Sequence, residues 1–231
     1  MATKITAPFF EIGPKSYLYG DEILELALAA DAASEKYGVD IIFTCPVVDI
    51  RRVKEATKRI HVFAPHMDPI PVGRGLADIL PESLVAAGAE GVMLNHVEKP
   101  VTFEVLAATI QRANEVGLTT IVCADSMADA SKIATLAPDI IVAEPSELIG
   151  TGVSVGPEYV EAAMKSVKNV NENILVLTAA GISNGTDVYN TIMAGADATG
   201  SSSGIVKAAD PGAMVFEMLE ALRQAWDERH K

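Results

Sequence analysis

The chain has 231 residues, of which 49% are hydrophobic and 21% charged, a composition typical of globular rather than disordered proteins. Its formal net charge of −13 argues against nonspecific binding to nucleic acid or to anionic membranes, since both need a cationic face. An anionic ligand would need a local site that works against this overall field. With no apolar run of membrane-spanning length and no basic-then-apolar leader, we expect a cytoplasmic protein.

The predicted elements alternate between short apolar runs and longer amphipathic stretches. Runs such as "TTIVCA" and "DIIVAE" are almost continuously hydrophobic, which is typical of parallel strands covered on both faces. The predicted strands are residues 5–12, 40–44, 61–64, 91–94, 119–123, 139–143, 174–178 and 196–201.

Two helices are especially clear. The first follows Pro100 as "TFEVLAATIQRANEVG", carries Phe103, Leu106, Ile110 and Ala113 on one stripe, and ends at Gly117. In the last, Asp210 is the predicted cap and Pro211 suits the first turn. Its apolar stripe, expected to pack on the core, comprises Met214, Val215, Met218, Leu219, Leu222 and Trp226.

Eight predicted strands, each followed by a helix or a long connection, favour an α/β fold in which residues 1–231 form one single-domain (β/α)8 TIM barrel. The alternative is an open doubly wound sheet. That fold predicts a phosphate fingerprint after the first strand, and "EIGPKSYLYGD" lacks one. The only cysteines, Cys45 and Cys123, lie within apolar runs, so we expect buried reduced thiols.

In a barrel of this kind, functional groups lie at the carboxyl ends of the strands. Three residues at such ends form an acid/base set, in which Glu144 is a general base, His96 a polarising donor and Lys15 an anchor for an anion. The loops "TAAGISNG" and "GSSSG" are rich in small residues and would present backbone N–H groups to a phosphate. Asp68 and Asp125 also follow strands, but His66 and Asp68 alone are too few ligands to predict a metal site.

Several motifs resemble the short, archaeal-type branch of the triosephosphate isomerase family over nearly the whole chain. "EPSELIGTG" at 144–152 is similar to the family's catalytic-glutamate and loop-six signature, and "LNHVEKP" at 94–100 to the segment with its histidine. "IGPKSY" at 12–17 is similar to the segment with its lysine, and "AGIS" at 180–183 and "SGIVKAADP" at 203–211 follow the short-branch pattern.

The resemblance implies an isomerase of glycolysis and gluconeogenesis that interconverts dihydroxyacetone phosphate and glyceraldehyde 3-phosphate. It implies Glu144 as the base, His96 as the electrophile and Lys15 as the cation, with no metal or organic cofactor. It also implies a homodimer or homotetramer with a small phosphorylated sugar as its ligand. The phosphate contacts that it implies are the Gly150 N–H, Gly181, Ser202 and Ser203.

Three positions depart from the family pattern. Gly13 stands where the family usually has an asparagine, Val97 where a serine follows the histidine, and Leu76 about where a threonine reaches a neighbouring subunit. The substrate could therefore be a different small sugar phosphate, such as a tetrulose phosphate. A non-catalytic phosphate-binding barrel, and an epimerase or an aldolase that uses Lys15 as a Schiff base, are further alternatives.

Overall fold

A computed structural model describes residues 4–148, 151–152 and 154–231. Its eight parallel strands close into a barrel in chain order, with the first strand paired to both the second and the last. This closure excludes the open doubly wound sheet. The strands are β1 Phe9–Ile12, β2 Asp40–Thr44, β3 His61–Ala64, β4 Gly91–Leu94, β5 Thr119–Ala124, β6 Ile140–Ala143, β7 Leu175–Leu177 and β8 Ala198–Ser201.

Helices cover the outside of the barrel, and short 3₁₀ turns follow β2 and β6 at Val47–Asp49 and Ser146–Leu148. Among the described residues, no helix is both long enough and apolar enough to cross a membrane. The helices are α1 Asp21–Tyr37, α2 Ile50–Ala56, α3 Pro81–Ala87, α4 Phe103–Val116, α5 Met127–Ala134, α6 Pro157–Lys168, α7 Gly185–Met193, α8 Ser203–Val206 and α9 Pro211–Arg229.

The eight predicted strands are confirmed, but β1 and β8 begin later than expected. Pro8 lies just before β1 and has no N–H to donate to a neighbouring strand. Before β8, the Asp197 carboxylate accepts the Val176 N–H at 3.0 Å and pairs with Lys168 at 2.9 Å. These polar side-chain contacts take the place of strand-to-strand hydrogen bonds at the predicted start of β8.

The predicted helix ends are also confirmed. Gly117 ends α4 in a left-handed conformation, and the Asp210 carboxylate accepts the Ala213 N–H at the start of α9. The start of α4, which the sequence analysis left without a cap, is capped by the Thr102 hydroxyl, which accepts the Val105 N–H. On α9, the predicted stripe packs on the core, with Met214 and Trp226 partly covered at its margins. Both cysteines are buried and free, as expected.

The barrel interior is a separate small core in which side chains from alternate strand positions meet. It includes Phe9, Ile42, Phe63, Ile121 and Leu177. Gly91 pairs with Phe63 in the ladder, and a Cβ on Gly91 would lie 2.3 Å from the Phe63 ring. The ring of Phe63 therefore fills the space that a side chain at position 91 would need.

We expect Gly91→Ala to lower the free energy of unfolding by about 1–3 kcal/mol, because the added methyl overpacks the barrel interior. Urea unfolding followed by circular dichroism measures this effect. Gly212→Ala in α9 is the matched control, since a Cβ on Gly212 would lie 3.4 Å from the Cβ of Ala29 on α1, which is an ordinary contact distance. Equal stability of Gly91→Ala and the wild type would contradict the packing described for Phe63.

Candidate active site

A cavity of about 690 Å³ opens at the carboxyl ends of the strands. It brings together every predicted site residue that the structure describes, namely Lys15, His96, Glu144, Gly181, Ser202 and Ser203. Gly150 lies outside the described residues. Asp125 lines a smaller neighbouring pocket of about 310 Å³ that shares Glu144 with the main cavity.

Asp68 has a structural environment in the β3–α3 loop. Its carboxylate accepts the Ile79 N–H at 2.7 Å and lies 3.3 Å from His66 Nε2. Together these contacts close the loop. In the described part of the chain, no group of three or more potential metal ligands lies together.

Lys15 is held in the loop after β1. Its φ of 50° lies in the left-handed region, which is unfavourable for residues other than glycine and is found where the surroundings hold the backbone in place. The Tyr17 N–H donates to the Pro14 carbonyl at 3.1 Å and closes the turn. The Lys15 Nζ lies 3.3 Å from Glu98 Oε1, so the β1 and β4 loops are joined by an ion pair.

Asn95 positions the loop that carries His96, a role that the sequence did not reveal. Its backbone has a φ of 56°, a conformation that asparagine tolerates better than most residues. Its side-chain amide donates to the Cys123 carbonyl at 3.0 Å, and its Oδ1 accepts the Val101 N–H at 3.2 Å. The loop is thereby fastened both to β5 and to itself.

The tautomer of His96 follows from its hydrogen bonds. The Glu98 backbone N–H donates to Nδ1 at 3.1 Å, and because a backbone amide only donates, Nδ1 must be the acceptor. The proton of the neutral ring is then on Nε2. Burial and the nearby Lys15 charge both lower the pKa of His96, against an opposing effect of the Glu98 carboxylate. The neutral ring is therefore favoured, with an N–H donor at Nε2.

Glu144 directly follows β6, and its own N–H extends the sheet by donating to the Ala124 carbonyl at 3.2 Å. Burial raises the pKa of its carboxyl to about 7, with Lys15 lowering it and Asp125 raising it further. A carboxylate with a pKa near neutrality accepts a proton much more readily than an ordinary glutamate does. The site thus combines a carboxyl of raised pKa with a neutral imidazole.

The predicted phosphate loops pack directly against each other. Gly181 has a φ of 75°, and a Cβ on Gly204 would lie 2.5 Å from the Ile182 carbonyl oxygen. The Ser201 hydroxyl donates to the same carbonyl at 2.8 Å. The Ser202 Oγ is buried and has no hydrogen-bond partner in the described structure, so it is available to a ligand.

Comparison with known proteins shows the family of this chain. The family model described as "Triosephosphate isomerase" matches residues 14–218. The chain belongs to the triosephosphate isomerase family. Proteins named triosephosphate isomerase from Methanobrevibacter smithii and Sulfolobus acidocaldarius are 36% and 33% identical to it, over 94% and 96% of this chain and 100% and 98% of their own lengths. The one from Methanocaldococcus jannaschii is 37% identical over 87% of this chain and 93% of its own.

The three departures from the pattern of the triosephosphate isomerase family have different surroundings. Gly13 lines the main cavity beside the carboxyl of Glu11, a residue that the sequence analysis missed. Val97 lines the smaller pocket next to Glu144. Leu76 is almost fully exposed in the β3–α3 loop. The sequence feature that could have revealed Glu11 is an acidic residue inside the apolar run "FFEIG".

The tautomer and charge of His96 can be measured directly. We expect nitrogen NMR at pH 6.5, where an ordinary histidine is about half protonated, to show a predominantly neutral His96 ring with its proton on Nε2. Lys15→Met should raise the pKa of His96, because it removes a charge that lowers it. Lys165→Met, exposed on α6, is the control. A doubly protonated His96 in the wild type at this pH would contradict the assignment.

Proposed function

We propose that this chain interconverts dihydroxyacetone phosphate and glyceraldehyde 3-phosphate through an enediolate. The observation that carries this proposal is the meeting of three groups in one cavity. They are the Glu144 carboxyl, whose pKa is raised to about 7, the His96 ring with Nδ1 as acceptor, and the Lys15 ammonium.

In the proposed mechanism, the Glu144 carboxylate removes the proton from the carbon next to the carbonyl. His96 donates from Nε2 to the oxygen on which negative charge develops and moves protons between the two oxygens. Lys15 stabilises the same charge electrostatically. Protonated Glu144 then returns the proton to the adjacent carbon, which completes the isomerisation without any external oxidant or reductant.

Phosphate binding is assigned to the two packed loops, with Gly181, Ser202 and Ser203 as the contacts. The partnerless Ser202 Oγ supports this role, since a buried hydroxyl without a partner is unfavourable until a ligand binds it. Family resemblance adds the Gly150 N–H. Closure of the loop that begins at Pro145 would exclude water and so suppress loss of phosphate from the enediolate.

A second candidate function is isomerisation of another small sugar phosphate, such as a tetrulose phosphate. Gly13 and the neighbouring Glu11 favour it, because they change the cavity wall where the family usually has an asparagine. An aldolase is disfavoured, because a Schiff-base lysine must be a neutral amine and the Lys15 Nζ forms an ion pair with Glu98.

An assay with both triose phosphates beside tetrose and pentose phosphates tests the substrate. We expect turnover of the trioses; turnover of only a tetrose or pentose phosphate would establish the second candidate. Activity on none of these substrates would refute an isomerase.

Glu144→Asp tests the base, because it moves the carboxylate away by one methylene. We expect kcat to fall by about 10²–10³-fold while binding of inorganic phosphate, measured by calorimetry, stays nearly the same. Glu147→Asp is the matched control, since Glu147 is exposed in the same loop. An unchanged kcat in Glu144→Asp would exclude Glu144 as the base.

The pH dependence of kcat/KM follows from the same carboxyl. Glu144 works as the carboxylate, so the rate should rise with pH as Glu144 loses its proton around its pKa of about 7. Ionisation of the substrate phosphate, at a pKa of about 6, contributes below that range. A rate already at its plateau at pH 5 would contradict the raised pKa.

We also propose that the chain forms a homodimer or homotetramer. Large apolar side chains are exposed on the loops after three neighbouring strands, namely Tyr19 after β1, Val48 after β2 and Val72 and Leu76 after β3, with Leu76 95% exposed. Contiguous exposed apolar surface is typical of subunit interfaces.

Sedimentation velocity should therefore show a species larger than the monomer. Leu76→Lys should shift the equilibrium toward the monomer, because it places a charge in the proposed interface. Val170→Lys, exposed in the α6–β7 connection, is the control. A wild-type protein that sediments as a monomer would refute the interface.

We further propose a cytoplasmic location. The two free and buried cysteines support it, because thiols stay reduced in the cytosol. Fractionation of the source cells with an antibody to the chain would test this location.

A further inference from the structure

Glu11 is a second carboxyl in the cavity, and the proposed reaction does not use it. It lies on β1, where its neighbours Phe10 and Ile12 pack in the outer core while Phe9 belongs to the inner one. Its side chain therefore points into the barrel and lines the cavity shared with Lys15 and Glu144. Glu11 is only 8% exposed.

Two glycines make room for this side chain. A Cβ on Gly13 would lie 3.1 Å from Glu11 Oε1. A Cβ on Gly200, which pairs with Glu11 across the β1–β8 ladder, would lie 3.0 Å from the Glu11 Cβ and 2.6 Å from its carbonyl oxygen. The barrel wall around Glu11 is thus shaped by residues that have no side chain.

The Glu11 carboxyl lacks a full set of protein partners. Its Oε1 is buried with no hydrogen-bond partner in the described structure. Leaving such groups unsatisfied lowers stability, which points to a group that a ligand completes.

The electrostatic surroundings favour a proton on Glu11. The charged and titratable groups that act on it or on its immediate neighbourhood are Lys15 from the β1 loop, Glu144 after β6 and the Cys123 thiol on β5. The other neighbours of Glu11, Thr44 on β2 and Gly200 on β8, carry no titratable side chain. Burial raises the pKa of Glu11 to about 7, opposed by the Thr44 hydroxyl and by Lys15 and reinforced by Glu144.

Glu11 and Glu144 would repel each other if both were ionised in one cavity, so one of them retains a proton more readily. Glu11 is the more deeply buried of the two. A neutral Glu11 also avoids adding negative charge where an anionic phosphate ester must bind.

We propose that Glu11 is a further catalytic residue that, as the neutral acid, donates a hydrogen bond to an oxygen on the reacting carbons of the substrate. This inference rests on the proposed function. A neutral carboxylic acid can stabilise developing oxyanion charge in a dry cavity. The site then holds two carboxyls with opposite tasks: Glu144 accepts a proton from carbon, and Glu11 keeps its own proton and shares it with oxygen.

Two substitutions at Glu11 separate the effect of its hydrogen-bond donor from the effect of its side-chain size. Glu11→Met has a similar size but no donor, and we expect kcat for the triose phosphates to fall by about 100-fold with KM changed by less than about threefold. Glu11→Gln keeps a neutral donor and should lose less than about tenfold. Glu22→Gln, exposed on α1, is the control for loss of a charge.

Stability distinguishes this role from a structural one. Because Glu11→Met removes a buried polar group without a partner, it should raise the Tm by about 2–4 °C while activity falls. A structural residue would instead lose stability together with activity in both variants.

The pH profile gives a second readout. The wild-type kcat/KM should fall at high pH as Glu11 loses its proton, and in Glu11→Gln this fall should move to higher pH by more than about one unit. At pH 6, the infrared difference spectrum between the wild type and Glu11→Gln should contain the carbonyl stretch of a protonated carboxylic acid.

Each opposite result overturns the inference. These results are a Glu11→Met enzyme with wild-type kcat, a Glu11→Gln enzyme as impaired as Glu11→Met, a loss confined to KM, an unmoved alkaline limb, or an absent acid band. If the wild type converts neither triose phosphate, the proposed function and this inference fail together. If the wild type is active and Glu11→Met equals it, this inference alone fails.

Discussion

The positive charge of Lys15 acts on four buried or half-buried ionisable groups in and around the cavity. It lowers the pKa of Glu144, of Glu11 and of His96, and it opposes the effect of burial on the Cys123 thiol. Burial alone would favour protonated carboxyls and a weak site for an anion. Lys15 opposes the effect of burial on the pKa of Glu144, and it adds to the effect of burial in keeping His96 uncharged. The ion pair with Glu98 and the turn closed by Tyr17 therefore matter because they fix where this charge lies.

The two ends of the barrel differ in how completely their polar groups are satisfied. At the amino end, His61 Nδ1 lies 2.8 Å from Glu90, which also pairs with Lys54. Burial lowers the pKa of His61, but its bonds to Asp40 and Glu90 outweigh that effect and raise the pKa to about 9. At the carboxyl end, Glu11 Oε1 and Ser202 Oγ have no partner in the described structure. The first arrangement stabilises a fold, whereas the second leaves free energy to be recovered when a ligand binds.

Most of the barrel was predictable because its pattern is local. Continuous apolar runs and amphipathic helices recur along the chain, and Gly117 ends α4 and Asp210 caps α9 as predicted. The strand ends then indicated Lys15, His96 and Glu144, since closure of a parallel barrel brings all carboxyl ends to one rim. The fold class needed no knowledge of long-range contacts.

What remained hidden depends on geometry between distant segments. Asn95 was not recognised, because its role requires the Cys123 carbonyl on another strand and a left-handed backbone. Glu11 lies within an apolar strand pattern, and nothing local shows that Gly13 and Gly200 leave room for its side chain. Which side chains are buried, and which buried polar atoms lack a hydrogen-bond partner, is known only once the strands are placed side by side.

The hydrogen bond from the Glu98 backbone to His96 has a consequence for how the site can vary. Its donor is a peptide N–H, so any residue other than proline at position 98 supplies it equally well. The tautomer of the histidine is therefore encoded in the length and path of the loop after β4 rather than in a neighbouring side chain. Point substitutions in this loop that keep Asn95 and the N–H of residue 98 are compatible with a preserved imidazole donor, whereas an inserted or deleted residue would displace it. Selection on the surface of the protein can thus change the side chains around His96 while the tautomer of its neutral ring stays the same.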